Sequence, residues 1–288
     1  MNIGLLFAFG ALFGWAAGDF FIQRTVRVVG IVKSLFFIGF VGAFGLLPFV
    51  IDDIQTILPN YRNWPLLIIL AAAVILAAFA NFEGLKLGKL SIVLPLTGAE
   101  LPVTILLSVF LGGERLPWFF YALMALAAFG IFLTMLTDFS HLKRLRLEKG
   151  VVYALLGAVG LGATNFLIGI GSRTTSPLFT IWFTHTAAML VSLVILARES
   201  EARGLIRNIW HHPHIIFWQS FLDNAAWIFY AFSSAIIPIS IASTISESYI
   251  AVGVMLGLAI NKEKLKKHQL IGIALAFLGV VILSALVG

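Results

Sequence analysis

Two stretches of this chain lie over each other without a gap: GLLFAFGALFGWAAGDFFIQRTVR (residues 4–27) and GVVYALLGAVGLGATNFLIGIGSR (150–173). Gly14 falls on Gly160, Asp19 on Asn165, Phe20 on Phe166 and Arg27 on Arg173. Three extra residues then shift the register. Ser91-Ile92 falls on Ser240-Ile241, GGERL (112–116) on NKEKL (261–265) and Gly130 on Gly279. Apolar helices look alike, so each match is weak alone; their shared order argues for a duplicated unit.

The composition says what kind of unit. Of the 288 residues, 60% are hydrophobic and only 11% charged, against about 25% charged in a soluble domain. Apolar stretches long enough to cross a ~30 Å hydrocarbon core recur throughout. Ten candidate helices cover approximately 3–22, 31–50, 65–83, 90–111, 117–136, 150–170, 177–196, 214–233, 238–260 and 268–287. The first begins without a basic leader or a small-residue cleavage site and reads as a retained span, not a signal peptide. The expected fold class is an all-α integral membrane protein of ten transmembrane helices in two inverted five-helix repeats. The repeats cover 1–137 and 150–288, joined by a basic loop at 138–149. The absence of cysteine excludes disulfides and thiolate metal sites. The net charge of +6 is read as topology-setting loops and not as a nucleic-acid surface.

Five helices per repeat is an odd number, so the second repeat must enter the membrane inverted, and basic residues in equivalent loops should swap sides. They do. Loop 1–2 has three Lys or Arg and loop 6–7 one; loop 2–3 has one and 7–8 three. Loop 3–4 has two and 8–9 none; loop 4–5 has one and 9–10 four. The odd loops hold 16 of the 19 basic residues. By the positive-inside rule they face the cytoplasm and both termini face out.

The paired GERL and NKEKL motifs closing the fourth helix of each half, with Gly-Trp in FGWAAGDF (13–20), resemble the EamA-type drug/metabolite transporter superfamily. The resemblance spans nearly the whole chain. It implies a transporter of small metabolites, with segments 1, 3, 4, 6, 8 and 9 lining a central cavity. It also implies cytoplasmic termini, which opposes the charge count; the charge-based orientation is retained here.

Buried ionisable residues locate the expected site. Glu100, Asp223 and Glu247 fall near the midpoints of segments 4, 8 and 9, where an ionised side chain costs ~2.5–3.5 kcal/mol on insertion scales. No Lys or Arg lies at that depth. Glu100 and Glu247 read as cavity or proton-coupling residues, against carboxyls merely bonded between helices. Asp223 either faces the cavity or, with Asn224, cross-links neighbours. Trp227 and Tyr230 follow Asp223 at i+4 and i+7 on one face, and Trp15 precedes Asp19 by four residues. Carboxylates beside indole rings suit an ammonium group. Asp19 and its counterpart Asn165 complete the candidate set, although Asp19 lies near enough the boundary to pair with Arg24 or Arg27. Tyr249 is set apart, about 200° round the helix from Glu247. His185 reads as a helix-packing residue, and HHPH (211–214) as an interfacial turn. Glu114 and Glu263 are expected in loop or gate roles.

No G-x-x-x-x-G-K-[ST] loop is present, so the chain carries no such site for ATP drive. The reading is a secondary active, proton-coupled transporter of a small amine-containing metabolite: an amino acid, a choline-like compound or a polyamine. It needs no cofactor, and its partners are the substrate, protons, the lipid bilayer and at most a second copy. The expected location is a prokaryotic inner or plasma membrane. The rival readings are an uncoupled facilitator of neutral solutes and an intramembrane enzyme using Asp223, Glu247 and His185. The repeat and the lack of H-E-x-x-H spacing weigh against the enzyme.

Overall fold

The computed structural model describes residues 2–87, 96–136, 149–261 and 266–288, without the side chains of 82, 85, 86 and 256–261. The Ser91-Ile92 match, Glu263 and nearly all of the inter-repeat loop therefore lie outside the described residues. Among those described there is no strand. The chain forms α1 (Ile3–Val29), α2 (Ile31–Ile57), α3 (Trp64–Leu87), α4 (Glu100–Phe110), α5 (Trp118–Met135) and α6 (Lys149–Thr174). There follow α7 (Pro177–Arg198), α8 (Gly204–His211), α9 (Pro213–Ile236), α10 (Ile239–Glu247), α11 (Tyr249–Asn261) and α12 (Lys267–Val287). Among the described residues, seven helices are long and apolar enough to cross a membrane. Their outer faces carry exposed side chains such as Phe49, Leu76, Leu156 and Val281, as lipid contact requires.

The helices overrun the hydropathy boundaries. α1 reaches Val29, so Gln23, Arg24 and Arg27 sit on helix and not in a loop, and α2 begins directly after Gly30 (φ 88°). Hydropathy reports depth in hydrocarbon, whereas a helix ends where its backbone can turn; here glycine supplies the left-handed turn. The connection read as a loop at 198–214 contains α8, which buries Leu205 and leaves Ile206 and Trp210 exposed. HHPH is the turn into α9, with Pro213 at its first position.

Packing runs through four main antiparallel pairs: α1 with α9, α3 with α6, α2 with α7 and α5 with α12. Small residues set the approach. A Cβ at Gly14 would meet Ala226, and one at Gly160 would meet Ala77. A Cβ at Gly130 would lie 2.4 Å from the backbone N of Ala276, and one at Gly279 would lie 3.1 Å from that of Ala127. Gly39 of α2 meets His185 and Met189 of α7.

Because neighbours alternate in direction, one face of the bundle carries the α1–α2 turn, α8 and the start of α12. The other carries the α2–α3 and α6–α7 turns and the ends of α4 and α9. We call these the basic face and the terminal face. α10 lies at the centre, every residue buried. Its Thr244 and Ser246 hydroxyls satisfy themselves on carbonyls one turn back.

Candidate functional site

Two helix breaks build the site. The ninth segment stops at Ser248, whose N–H doubles back to Ile245 O, and restarts as α11. The fourth turns at Gly98 and Ala99 before α4 begins. In the repeat register Ala99 corresponds to Ser248 and Glu100 to Tyr249, so the breaks are equivalent. Glu100 opens α4 and Glu247 closes α10. Glu100 thus sits at the start of a half-helix, where free N–H groups favour negative charge, whereas Glu247 sits at the end of one, two residues before α11 begins.

A cavity of about 690 Å³ lies between the helices, within the usual ~300–1,000 Å³ of small-molecule sites. Asp19, Glu100, Asp223 and Glu247 all line it, with Trp15, Trp227 and Asn165. Glu100 and Glu247 touch through their carboxyl groups. Asn165 donates its side-chain amide to Glu247 Oε1 at 3.0 Å. The Tyr249 hydroxyl lies close enough to Asp19 to interact with it.

Several expectations change here. Asp19 turns inward to Tyr249, while Arg24 lies over the Phe20 ring at 3.9 Å; no arginine pairs with Asp19 among the described residues. Tyr249 lines the cavity because the break at Ser248 interrupts the helical rotation from which its separation was reckoned. Tyr230 lies just behind the wall. It is fully buried, with its hydroxyl donating to Asn165 O at 3.0 Å and meeting Ser243 Oγ at 2.7 Å. Asp223 and Asn224 divide the two roles considered for them. Asn224 bonds Ile38 O of α2 at 3.0 Å, and Asp223 faces the cavity.

Trp15 meets Trp227 edge-on at 4.9 Å and lies 5.8 Å from Tyr249, so three aromatic rings stand together on the wall beside the carboxylates. His185 both packs, against Gly39 and Gly42, and lines the cavity. Asn81, a lining residue overlooked in the sequence, lies near the end of the segment read as 65–83, where the depth argument does not reach.

The cavity opens toward the basic face, where Gln23 and Arg27 of its lining are exposed. It is closed toward the terminal face. There Glu114, only 7% exposed, accepts from the N–H groups of Ile239 and Ser240 and from Ser240 Oγ. Arg173 donates to Ser234 O at 2.8 Å and Ile237 O at 2.7 Å, and lies 3.6 Å from Glu114. The acid covers the orphan donors of α10, and the base covers the orphan carbonyls of α9.

A model of the EamA-like transporter family matches the chain twice, over residues 2–136 and 148–285. The chain belongs to the EamA-like transporter family. That membership places it in the drug/metabolite transporter superfamily, as a multi-pass membrane protein built from two family units. A solved crystal structure of a protein 16% identical superposes with a TM-score of 0.71, covering 99% of this chain and 98% of the other. At that identity the likeness concerns the fold alone. No curated protein matches the sequence.

Proposed function

We propose that this EamA-family protein is a secondary active, proton-coupled transporter of a small amine-bearing metabolite, working by alternating access between two inverted five-span halves. The carrying observation is the one-sided cavity: four carboxylates converge in it, and it opens to one face while Glu114 and Arg173 close the other.

The packing supports the inverted repeat. Gly14 on Ala226 and Gly160 on Ala77 are equivalent contacts, since Gly14 corresponds to Gly160 and Ala77 to Ala226. Gly130 on Ala276 and Gly279 on Ala127 are equivalent in the same way. The corresponding helices α2 and α7, and likewise α5 and α12, run antiparallel, as halves of opposite orientation would. The ten-span count takes α4 as part of the fourth span and α10 with α11 as the ninth.

The chemistry supports coupling. Two carboxyls in contact require one proton between them, so the Glu100–Glu247 pair is equipped to take up and release one. The nearest guanidinium in the lining, Arg27, lies two turns from Asp19 on α1, about 12 Å along the axis. An amine suits this charge, and a phosphorylated metabolite does not. Opening toward the basic face means opening toward the cytoplasm of a prokaryotic inner membrane in the charge-based orientation.

The test is counterflow and pH-gradient-driven uptake in proteoliposomes with amines, neutral solutes and phosphorylated metabolites. Amine transport that responds to the proton gradient, and loses that response in Glu247→Gln, supports the reading. Transport of neutral solutes indifferent to the gradient favours a facilitator, and a chemically altered product favours an enzyme.

A further inference from the structure

His185 of α7 and Asp223 of α9 face each other across the cavity wall, 8% and 9% exposed, with His185 Nε2 3.8 Å from Asp223 Oδ2. That distance is too long for a direct hydrogen bond. The other ring nitrogen is occupied: Nδ1 lies 2.8 Å from Ile181 O, and a carbonyl only accepts, so Nδ1 carries the hydrogen. Nε2 then presents either a lone pair or a second proton. With a lone pair, two acceptors confront each other across a gap that lacks a donor.

The packing fixes the width of that gap. The His185 ring is backed by α2, where a Cβ at Gly42 would come within 2.8 Å of the imidazole Cγ. Asn224, next to Asp223, ties α9 to the same helix through Ile38 O. The His185 ring and the α9 backbone beside Asp223 are both braced on α2.

We propose that this gap is an exchange site, filled either by a proton on His185 Nε2 or by the N–H groups of a primary ammonium substrate. In the proton-filled state a protonated His185 offsets Asp223. When the ammonium enters, it donates to Nε2 and to Oδ2, and the histidine's second proton leaves through the cavity to water. One positive charge replaces another, so the gap keeps its charge while a proton is released for each cation bound. Trp227, one turn on from Asp223 and packed on Trp15, offers an aromatic face to the cation's carbon skeleton. The inference rests on the amine-transporter reading and narrows it. A quaternary ammonium has no N–H and cannot bridge two acceptors, so choline-like compounds are excluded from tight binding here.

The other ionisable groups facing this wall are Asp19 of α1, which lies close enough to Asp223 to interact with it, and Tyr249 of α11 beside Asp19. Glu100 of α4, Glu247 of α10 and Arg27 of α1 share the cavity. α2 contributes only uncharged lining there. Any pH-dependence must therefore be assigned by a variant at His185 and not by the titration alone.

The experiment is calorimetric titration of purified full-length protein with primary alkyl-, aryl- and diammonium compounds and their N,N,N-trimethyl analogues. Buffers of different ionisation enthalpy report the protons released. At the acid end of a pH series, the wild type should release at least one proton per primary amine bound. It should bind the trimethyl analogue about tenfold more weakly or worse, as when buried polar groups lose their donor. His185→Gln should bind the amine more weakly and release about one proton fewer per amine bound than the wild type, whatever the Glu100–Glu247 pair contributes. Equal binding of the trimethyl analogue, or no proton release from the wild type, overturns the exchange site and leaves the amine reading standing. Neither measurement needs the variant. Proton release undiminished in His185→Gln also overturns the site. If no amine binds the wild type at all, the amine reading falls and takes this site with it.

Discussion

Arg173 lies 3.6 Å from Glu114, and between them the two side chains cap both sides of the break that separates α9 from α10. The polar backbone groups freed at Pro238 are thereby satisfied by one acid and one base. The pair has a motif origin on each side. Glu114 belongs to GGERL, and Arg173 is the repeat counterpart of Arg27. If the two-fold relation governs the cycle, this clasp holds the terminal face shut in the state described.

Replacing Arg173 by Gln should loosen it. Hydrogen bonds to charged groups contribute ~1.5–3 kcal/mol each, enough to move an open–closed population by about tenfold or more. The chain has no cysteine, so Ile237→Cys can serve as a single probe at a position 2% exposed. Its rate of modification by a soluble maleimide should rise by about that factor in the Arg173→Gln background. An unchanged rate would mean that other contacts keep the face closed.

Packing between the halves makes a sharper stability prediction. A methyl group at Gly130 would lie 2.4 Å from Ala276 N and 2.6 Å from Gly272 O, both backbone atoms that cannot rotate away. Gly130→Ala should therefore destabilise the protein by ~1–3 kcal/mol, the usual cost of overpacking. Gly45, also in a helix interior, has nothing within 4 Å of the added Cβ. Gly45→Ala is the control and should leave thermal unfolding in detergent unchanged or slightly raised.

Much of this was legible before any coordinates. The register that laid Gly130 on Gly279 came from sequence alone, and the glycines are readable because close helix approach leaves no room for anything else. The depth of Glu100, Asp223 and Glu247 was legible because apolar surroundings make a carboxylate conspicuous. What stayed hidden is backbone geometry. The direction of Tyr249 depends on one turn tightened at Ser248, and periodicity assumes an unbroken helix. His185 was read from its segment, which the resemblance did not place on the cavity, yet its ring reaches between helices to Asp223. α8 escaped because eight residues are too few for an average over the window to register.

On the basic face, Lys33 of α2 pairs with Glu201 beyond α7. The hydrogen bond from the Lys33 ammonium, and then its charge, hold the Glu201 carboxyl below its ordinary 4.5. A carboxylate lowered on folding stabilises the fold above its unfolded value, and that stability is lost as pH falls through the folded one. The pair should therefore help in full above about pH 4.5 and fade below it. Glu201 is exposed, so salt should screen the effect. Comparing wild type with Lys33→Met, the difference in Tm should shrink both in acid and at high salt. A difference constant across both would assign it to packing of the lysine stem.

Orientation is the last expectation open to a direct check. Sixteen of the nineteen Lys and Arg residues belong to the odd-numbered loops as read from the sequence; those the structure describes lie on the basic face, several of them on helix ends, and a membrane potential opposes their transfer outward. That reasoning puts Ser200, exposed between α7 and α8, in the cytoplasm, and Asn60, exposed between α2 and α3, outside. The resemblance to ten-helix relatives implies the reverse. With no native cysteine to interfere, Asn60→Cys in intact cells should react with a membrane-impermeant maleimide, and Ser200→Cys should react only after permeabilisation. The opposite pattern would turn the cavity to the outside. The proton released on amine binding at His185 would then leave the cell and not enter the cytoplasm.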